Sequence, residues 1–186
     1  AVIWALVAPQ PDVLISGDGR SVAVRGRDGQ LHLMQTGKDA FLLKEWLAAD
    51  ADPRTAGEAS LAQGVSCDEA GCVVAMADGA FVAQTLRPDA LADDCERAAL
   101  VVTIQQAPRD CAAAVIDRDR LRRQGALALR RHGGGFDVEA VKPRGFDRPW
   151  SPAAGYAEAD TANLSRPAAQ RSKDATPSES DLQPDD

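Results

Sequence analysis

The chain has 186 residues and a net charge of −7. That length admits one moderate core with at most an appendage, and the acid excess excludes a surface that seeks nucleic acid over its whole area. The charge is uneven, because residues 151–186 hold seven acids against three bases (−4), which leaves −3 for the first 150.

The first eight residues, AVIWALVA, are apolar and run into Pro9 and Pro11. As a helix they span about 12 Å, short of the ~20 residues a bilayer crossing takes. They lack the basic leader and cleavage pattern of a signal peptide. A buried strand or helix end fits, and so do the last turns of a membrane span. The first residue, Ala1 rather than Met, favours the second, so residues 1–10 are expected to end a preceding transmembrane segment.

Residues 12–16 read as a short strand and Gly17-Asp18-Gly19 as a turn. SVAVRG and QLHLMQ alternate apolar with polar residues around Asp28-Gly29, a strong hairpin signal. A phosphate-binding loop would need a helix directly after its glycines, whereas here a strand follows. The spacing of Phe41, Leu42, Glu45 and Trp46 predicts an amphipathic helix over residues 38–49, lying on the sheet. Residues 50–60 read as loop. CVVAMADGAFVAQTL predicts a second hairpin around Asp78-Gly79, PDALADDCERA a short helix opened by Pro88, and ALVVTI a strand buried on both faces. VIDRDRLRRQGA predicts a helix or helical turn, and LALRR and GFDVEAV two strands across His132 and its three glycines. Trp150 and Phe146, in FDRPW, read as a clamp on the last strand. Residues 152–186 are rich in Ala, Ser, Pro and acids without periodicity and are expected to be disordered.

The four cysteines are Cys67, Cys72, Cys95 and Cys111. The spacing in CDEAGC and the lack of a second pair or His cluster speak against zinc. Two disulfides, or four reduced and buried thiols, both remain open. The two histidines, His32 and His132, have no evident nucleophile partner. His32 reads as a solvated or edge-strand residue and His132 as a turn flank. Asp93, Asp94, Asp117 and Asp119 read as solvated charges beside arginines. No catalytic residue, metal ligand or cofactor is assigned. Positive charge concentrates between Arg109 and Arg148. Arg109, Arg118, Arg122, Arg123, Arg130 and Arg131 are the candidate nucleic-acid-binding residues if they share a face; otherwise they are a solvent-facing, partly neutralised set.

Several stretches resemble, in order, the C-terminal domain of the ComEC-type DNA-internalisation channels of natural competence, in their alphaproteobacterial form. They are PDVLISGDGRSVAVRGRDGQL after an apolar end, GVSCDEAGC, DDCERAALVV, APRDCAAAVIDRDRLRRQGALAL and DRPWSP. The resemblance covers about residues 1–153. It implies a mixed α/β (α+β) fold: a small β-rich sandwich like a degenerate, shortened metallo-β-lactamase-like domain over residues 11–151, ahead of an acidic tail at 152–186. In that family a hairpin ending Leu-Ile-Asp-Thr-Gly precedes a His-x-His-x-Asp-His cluster. Here the ending is Leu33-Met34-Gln35-Thr36-Gly37, and no histidine lies between Gly37 and Ala80. Where the family has His-His-Gly after a buried strand, this chain has TIQQAPRDC. Two isolated histidines cannot assemble a hydrolytic metal site.

The resemblance therefore implies an inactive domain on the periplasmic side of the inner membrane. It would guide or brace DNA at the pore, with single- or double-stranded DNA, the rest of the channel and, through the preceding span, the membrane as partners. An active nuclease for the non-transported strand and a structural cap without DNA contact are the alternatives. The periplasmic placement also implies the disulfides Cys67–Cys72 and Cys95–Cys111.

Overall fold

The computed structural model describes residues 10–35, 39–142 and Leu164. Two five-stranded sheets face one another. The first has the order β10-β9-β1-β2-β3, all antiparallel, from β1 (Val13–Ile15), β2 (Ser21–Arg25), β3 (Leu31–Gln35), β9 (Leu127–His132) and β10 (Gly135–Ala140). The second has the order β4-β5-β6-β7-β8, from β4 (Ser66–Cys67), β5 (Gly71–Ala75), β6 (Phe81–Thr85), β7 (Leu100–Thr103) and β8 (Ala114–Ile116). Its β4-β5 and β5-β6 pairs are antiparallel, while β6-β7 and β7-β8 are parallel. Among the described stretches lie the helices α1 (Ala40–Ala49), α2 (Leu91–Arg97) and α3 (Arg118–Gln124). The expected mixed, β-rich sandwich is what the chain forms.

The period-2 alternation of the strands decides the layers. Val13, Ile15, Val22, Val24, Leu127, Leu129 and Phe136 point from the first sheet to meet Val74, Val82, Leu100, Val102, Ala114 and Ile116 of the second, making the central core. On the first sheet's outer face Ala23, Leu31 and Leu33 pack under Leu43 and Leu47 of α1, together with Leu61. On the second sheet's outer face Ala83, Val101 and Ala113 pack under Leu91 and Cys95 of α2. All four residues of β7 are buried because it lies between β6 and β8 with both faces covered, as its unbroken apolar run predicts.

The Asp-Gly turn recurs three times. In Ser16–Gly19, Gly26–Gly29 and Met76–Gly79 the final Gly N–H bonds the carbonyl three residues back. The Asp carboxylate accepts the N–H two residues on, at 3.1, 3.0 and 3.0 Å. Gly79 takes φ +87, where a Cβ would be strained. The Gly-Asp-Gly is therefore sheet punctuation and not a phosphate loop.

Some expectations change in detail. α1 buries Leu43 and Leu47 with Trp46 beside them, while Phe41 is 73% exposed, so the sheet-facing stripe is one position away from the expected one. The expected loop over residues 50–60 runs at its end into a short 3-10 turn (Ala59–Ala62) that brings in Leu61. Val115 and Ile116 belong to β8, and helix α3 starts only after Asp117. Both cysteine pairs are disulfide-bonded, Cys67–Cys72 and Cys95–Cys111. Leu164, in the stretch expected to be disordered, is helical and 1% exposed, and belongs to the central core. The apolar residues 1–9 and the FDRPW clamp lie outside the described residues. Among those described, no helix is long and apolar enough to cross a membrane.

Candidate nucleic-acid interface

One end of the sandwich gathers the chemistry-bearing residues, at the carboxyl ends of β1, β6, β7 and β8. The turn after β1 is locked there: Gln84 of β6, buried, donates from Nε2 to the Gly19 carbonyl at 2.9 Å, joining the two sheets. A Cβ on Gly19 would lie 2.7 Å from Leu121 Cδ1 and 3.4 Å from Ile104 Cγ2, so the turn packs directly on α3 and the end of β7. Asp18 is committed within the turn. Its Oδ1 accepts the Ser16 hydroxyl at 2.6 Å and the Arg20 N–H at 3.1 Å. Burial opposes its ionisation, but those two bonds and the Arg20 charge outweigh it and hold the carboxyl below the usual range.

Beside this rim the chain crosses from β7 to the parallel β8. Parallel neighbours need a crossover, usually helical. Here residues 104–113 cross without a helix, and the Cys95–Cys111 disulfide ties them to α2. Between this crossover and α3 lies a cavity of about 260 Å³, lined by Gln106, Pro108, Arg109, Asp117, Arg120 and Arg123 among others. Asp117 caps α3, with Oδ1 accepting the Arg120 N–H at 2.9 Å. Arg120 is 5% exposed; its Nε donates to Gln124 Oε1 at 3.2 Å and its Nη1 to the Val115 carbonyl at 3.5 Å. Arg123 is half-buried and Arg109 exposed.

The six candidate arginines do not share one face. Arg109 and Arg123 line this cavity. Arg118 and Arg122, one turn apart on α3, are exposed and lie 4.0 and 3.9 Å from Asp119. Arg130 and Arg131 project from opposite faces of β9. Arg130 reaches Glu139 at 3.4 Å across the outer face. Arg131 binds Asp78 of the second hairpin at 2.9 Å and the Gly134 carbonyl at 2.9 Å, and stacks 4.8 Å from the Phe136 centroid. This last arginine is a tie between the sheets. Arg120 was absent from the candidate set, although its i, i+3 relation to Arg123 puts both on one helical face, opposite the i, i+4 pair Arg118 and Arg122.

The carboxylates expected as solvated partners of arginines are corrected in two cases. Asp94 accepts the Thr85 hydroxyl at 2.6 Å, and Asp117 serves as a helix cap. His32 is on an edge strand, as expected, but not solvated. It is 7% exposed and pairs opposite the core residue Val24, with Nε2 3.0 Å from Asp28 Oδ1. His132 flanks the β9–β10 turn, exposed, 3.2 Å from Asp137. β2 and β1 lie between the two histidine strands, a lateral distance of roughly 14 Å, so they cannot ligate one ion through ~2 Å bonds. Among the described residues no group of three or more His, Cys, Asp or Glu could hold a metal ion. The chain matches no protein-family model, no curated protein and no solved structure.

Proposed function

We propose that this chain is the non-membrane C-terminal part of a ComEC-type DNA-internalisation channel, a degenerate metallo-β-lactamase-like domain that guides or braces DNA at the periplasmic mouth of the pore without cutting it. The observation that carries this reading is the content of the loop after β7. Where the family has His-His-Gly, this chain has Gln105-Gln106, then Arg109 on the wall of an arginine-lined cavity. An end of the fold that would polarise water through a metal instead presents guanidinium groups, which suit phosphate binding. The two facing sheets with helices on their outer faces support the family resemblance, and the paired disulfides suit an oxidising compartment.

The cap reading is favoured by Arg130 and Arg131, whose charges are taken up by Glu139 and Asp78. One titration separates the readings: labelled single- and double-stranded DNA with the 186-residue chain, with and without Mn²⁺ or Zn²⁺, following binding and strand cutting in the same tubes. Binding without cutting is the expected result. Metal-dependent cutting would establish a nuclease, and an absence of binding would leave the structural cap.

A further inference from the structure

The arginine-lined cavity carries a more specific assignment, which rests on the DNA-holding reading. We propose that it is a binding site for a single phosphate group. Among the described residues that line it, three guanidinium side chains, Arg109, Arg120 and Arg123, stand with one carboxylate, Asp117, a formal charge of +2 for these four. One oxygen of that carboxylate is already committed to the Arg120 backbone N–H. The space is about 260 Å³, room for a phosphate group.

The site is held in place before any ligand arrives. Arg120 sits in a buried position, with its guanidinium oriented by Gln124 Oε1 and the Val115 carbonyl. Asp117 fixes the start of α3, and the i, i+3 spacing carries Arg123 to the same side. The opposite wall, Gln106 to Cys111, is an irregular crossover that the disulfide to Cys95 secures on α2. Charged donors fixed in advance lose little freedom on binding an oxyanion, which is what makes planar guanidinium groups effective phosphate ligands. Arg118 and Arg122 stand on the opposite, outward face of α3, 4.0 and 3.9 Å from Asp119, and take no part in the cavity.

The phosphate could come from a nucleic-acid backbone or end, or from a free phosphate, and the test distinguishes these sources. Arginine Nε–Hε resonances are followed by NMR during titration with inorganic phosphate, with a thymidine decamer, and with the same decamer bearing a 5′-phosphate. The expected result is saturable shifts of Arg120 and Arg123 with inorganic phosphate and with at least one decamer. Affinity should fall about tenfold or more in the Arg109→Gln/Arg123→Gln variant and stay unchanged in Arg27→Gln, an exposed control beside the Gly79 turn at the other end of β6. A stronger response to the phosphorylated decamer assigns the site to strand ends, and equal responses assign it to the backbone. Decamer binding that survives unchanged in the double variant would overturn the site and leave the DNA-holding reading standing. Saturation by inorganic phosphate without binding of either decamer would keep the site and overturn that reading. No saturable shift with any probe would overturn the site.

Discussion

The Cys95–Cys111 disulfide should contribute more to stability than Cys67–Cys72, and the structure sets by how much. Its sequence separation is 16, against 5 for the other pair. Restricting the unfolded chain by loops of these lengths is worth about 3 and about 2 kcal/mol respectively. Burial widens the gap. Cys95 and Cys111 are 5% and 7% exposed and pack with Leu91, Ala98, Val101 and Ala113, so replacing both by alanine also removes two buried sulfurs. At about 1 kcal/mol per methylene-sized group, the Cys95→Ala/Cys111→Ala variant should lose about 4–5 kcal/mol. Cys67 is exposed, and Cys67→Ala/Cys72→Ala should lose about 2–3 kcal/mol. Urea unfolding followed by circular dichroism reads both: with m near 2 kcal/mol/M, the first variant's midpoint falls by about 2 M and the second's by about half that. A loss under 1 kcal/mol for the first variant, or a larger loss for the second, would refute the reasoning, because it would mean that the crossover is held by its packing alone.

Gly19→Ala should cost about 1–3 kcal/mol in the same assay, since φ is +71 and the new Cβ would meet Leu121 at 2.7 Å; a neutral result would show that the turn does not pack on α3. Phe136→Ala, at a fully buried position of the central core, should lose about 3–5 kcal/mol. Arg131→Gln should lose about 1 kcal/mol, because its bond to Asp78 is only partly shielded from water. Asp52 gives a pH signature. The Arg54 guanidinium, donating from Nε at 2.9 and 3.0 Å, holds its carboxyl below the usual range against the opposing effect of burial. A depressed folded-state value contributes stability that is present above the unfolded-state value near 4 and is lost as pH falls through the folded one. Asp52→Asn should therefore lower stability at pH 7 more than at pH 2–3, measured as the difference in urea midpoint, and an equal loss at both would contradict the assignment.

The parts of the fold that could be read from sequence are those governed by local geometry. Asp28-Gly29 and Asp78-Gly79 mark hairpins because the turn itself needs that chemistry, and ALVVTI marks a doubly covered strand because nothing polar interrupts it. Three-residue β8 carries too little periodicity to be separated from the arginine-rich helix that follows, and two-residue β4 carries almost none. In α1, Phe41 and Leu42 offer an apolar stripe as convincing as that of Leu43 and Leu47. Only the sheet it packs on decides between them. The candidate site was legible as a charge run but not as a surface. Arg130 and Arg131 are adjacent in sequence yet lie on opposite sheet faces, whereas Arg109 and Arg123, far apart in the chain, line one cavity. Arg120 belongs to the same charge run, but its place on the cavity wall depends on a crossover that a disulfide ties down. His32 looked solvated because alternation says which face it occupies, not that the opposite sheet covers that face.

The most direct test of the account is the salt dependence of single-stranded DNA binding, by fluorescence anisotropy of a labelled thymidine 20-mer with the 186-residue chain between 50 and 300 mM salt. If Arg109 and Arg123 seat one phosphate and Arg118 and Arg122 meet one each, the slope of log K against log salt should be about −2, at roughly 0.7 per phosphate for a single strand. The Arg109→Gln/Arg123→Gln variant should bring it to about −1.5. A flat salt profile, or no binding at low salt, would contradict a DNA-holding role for this domain.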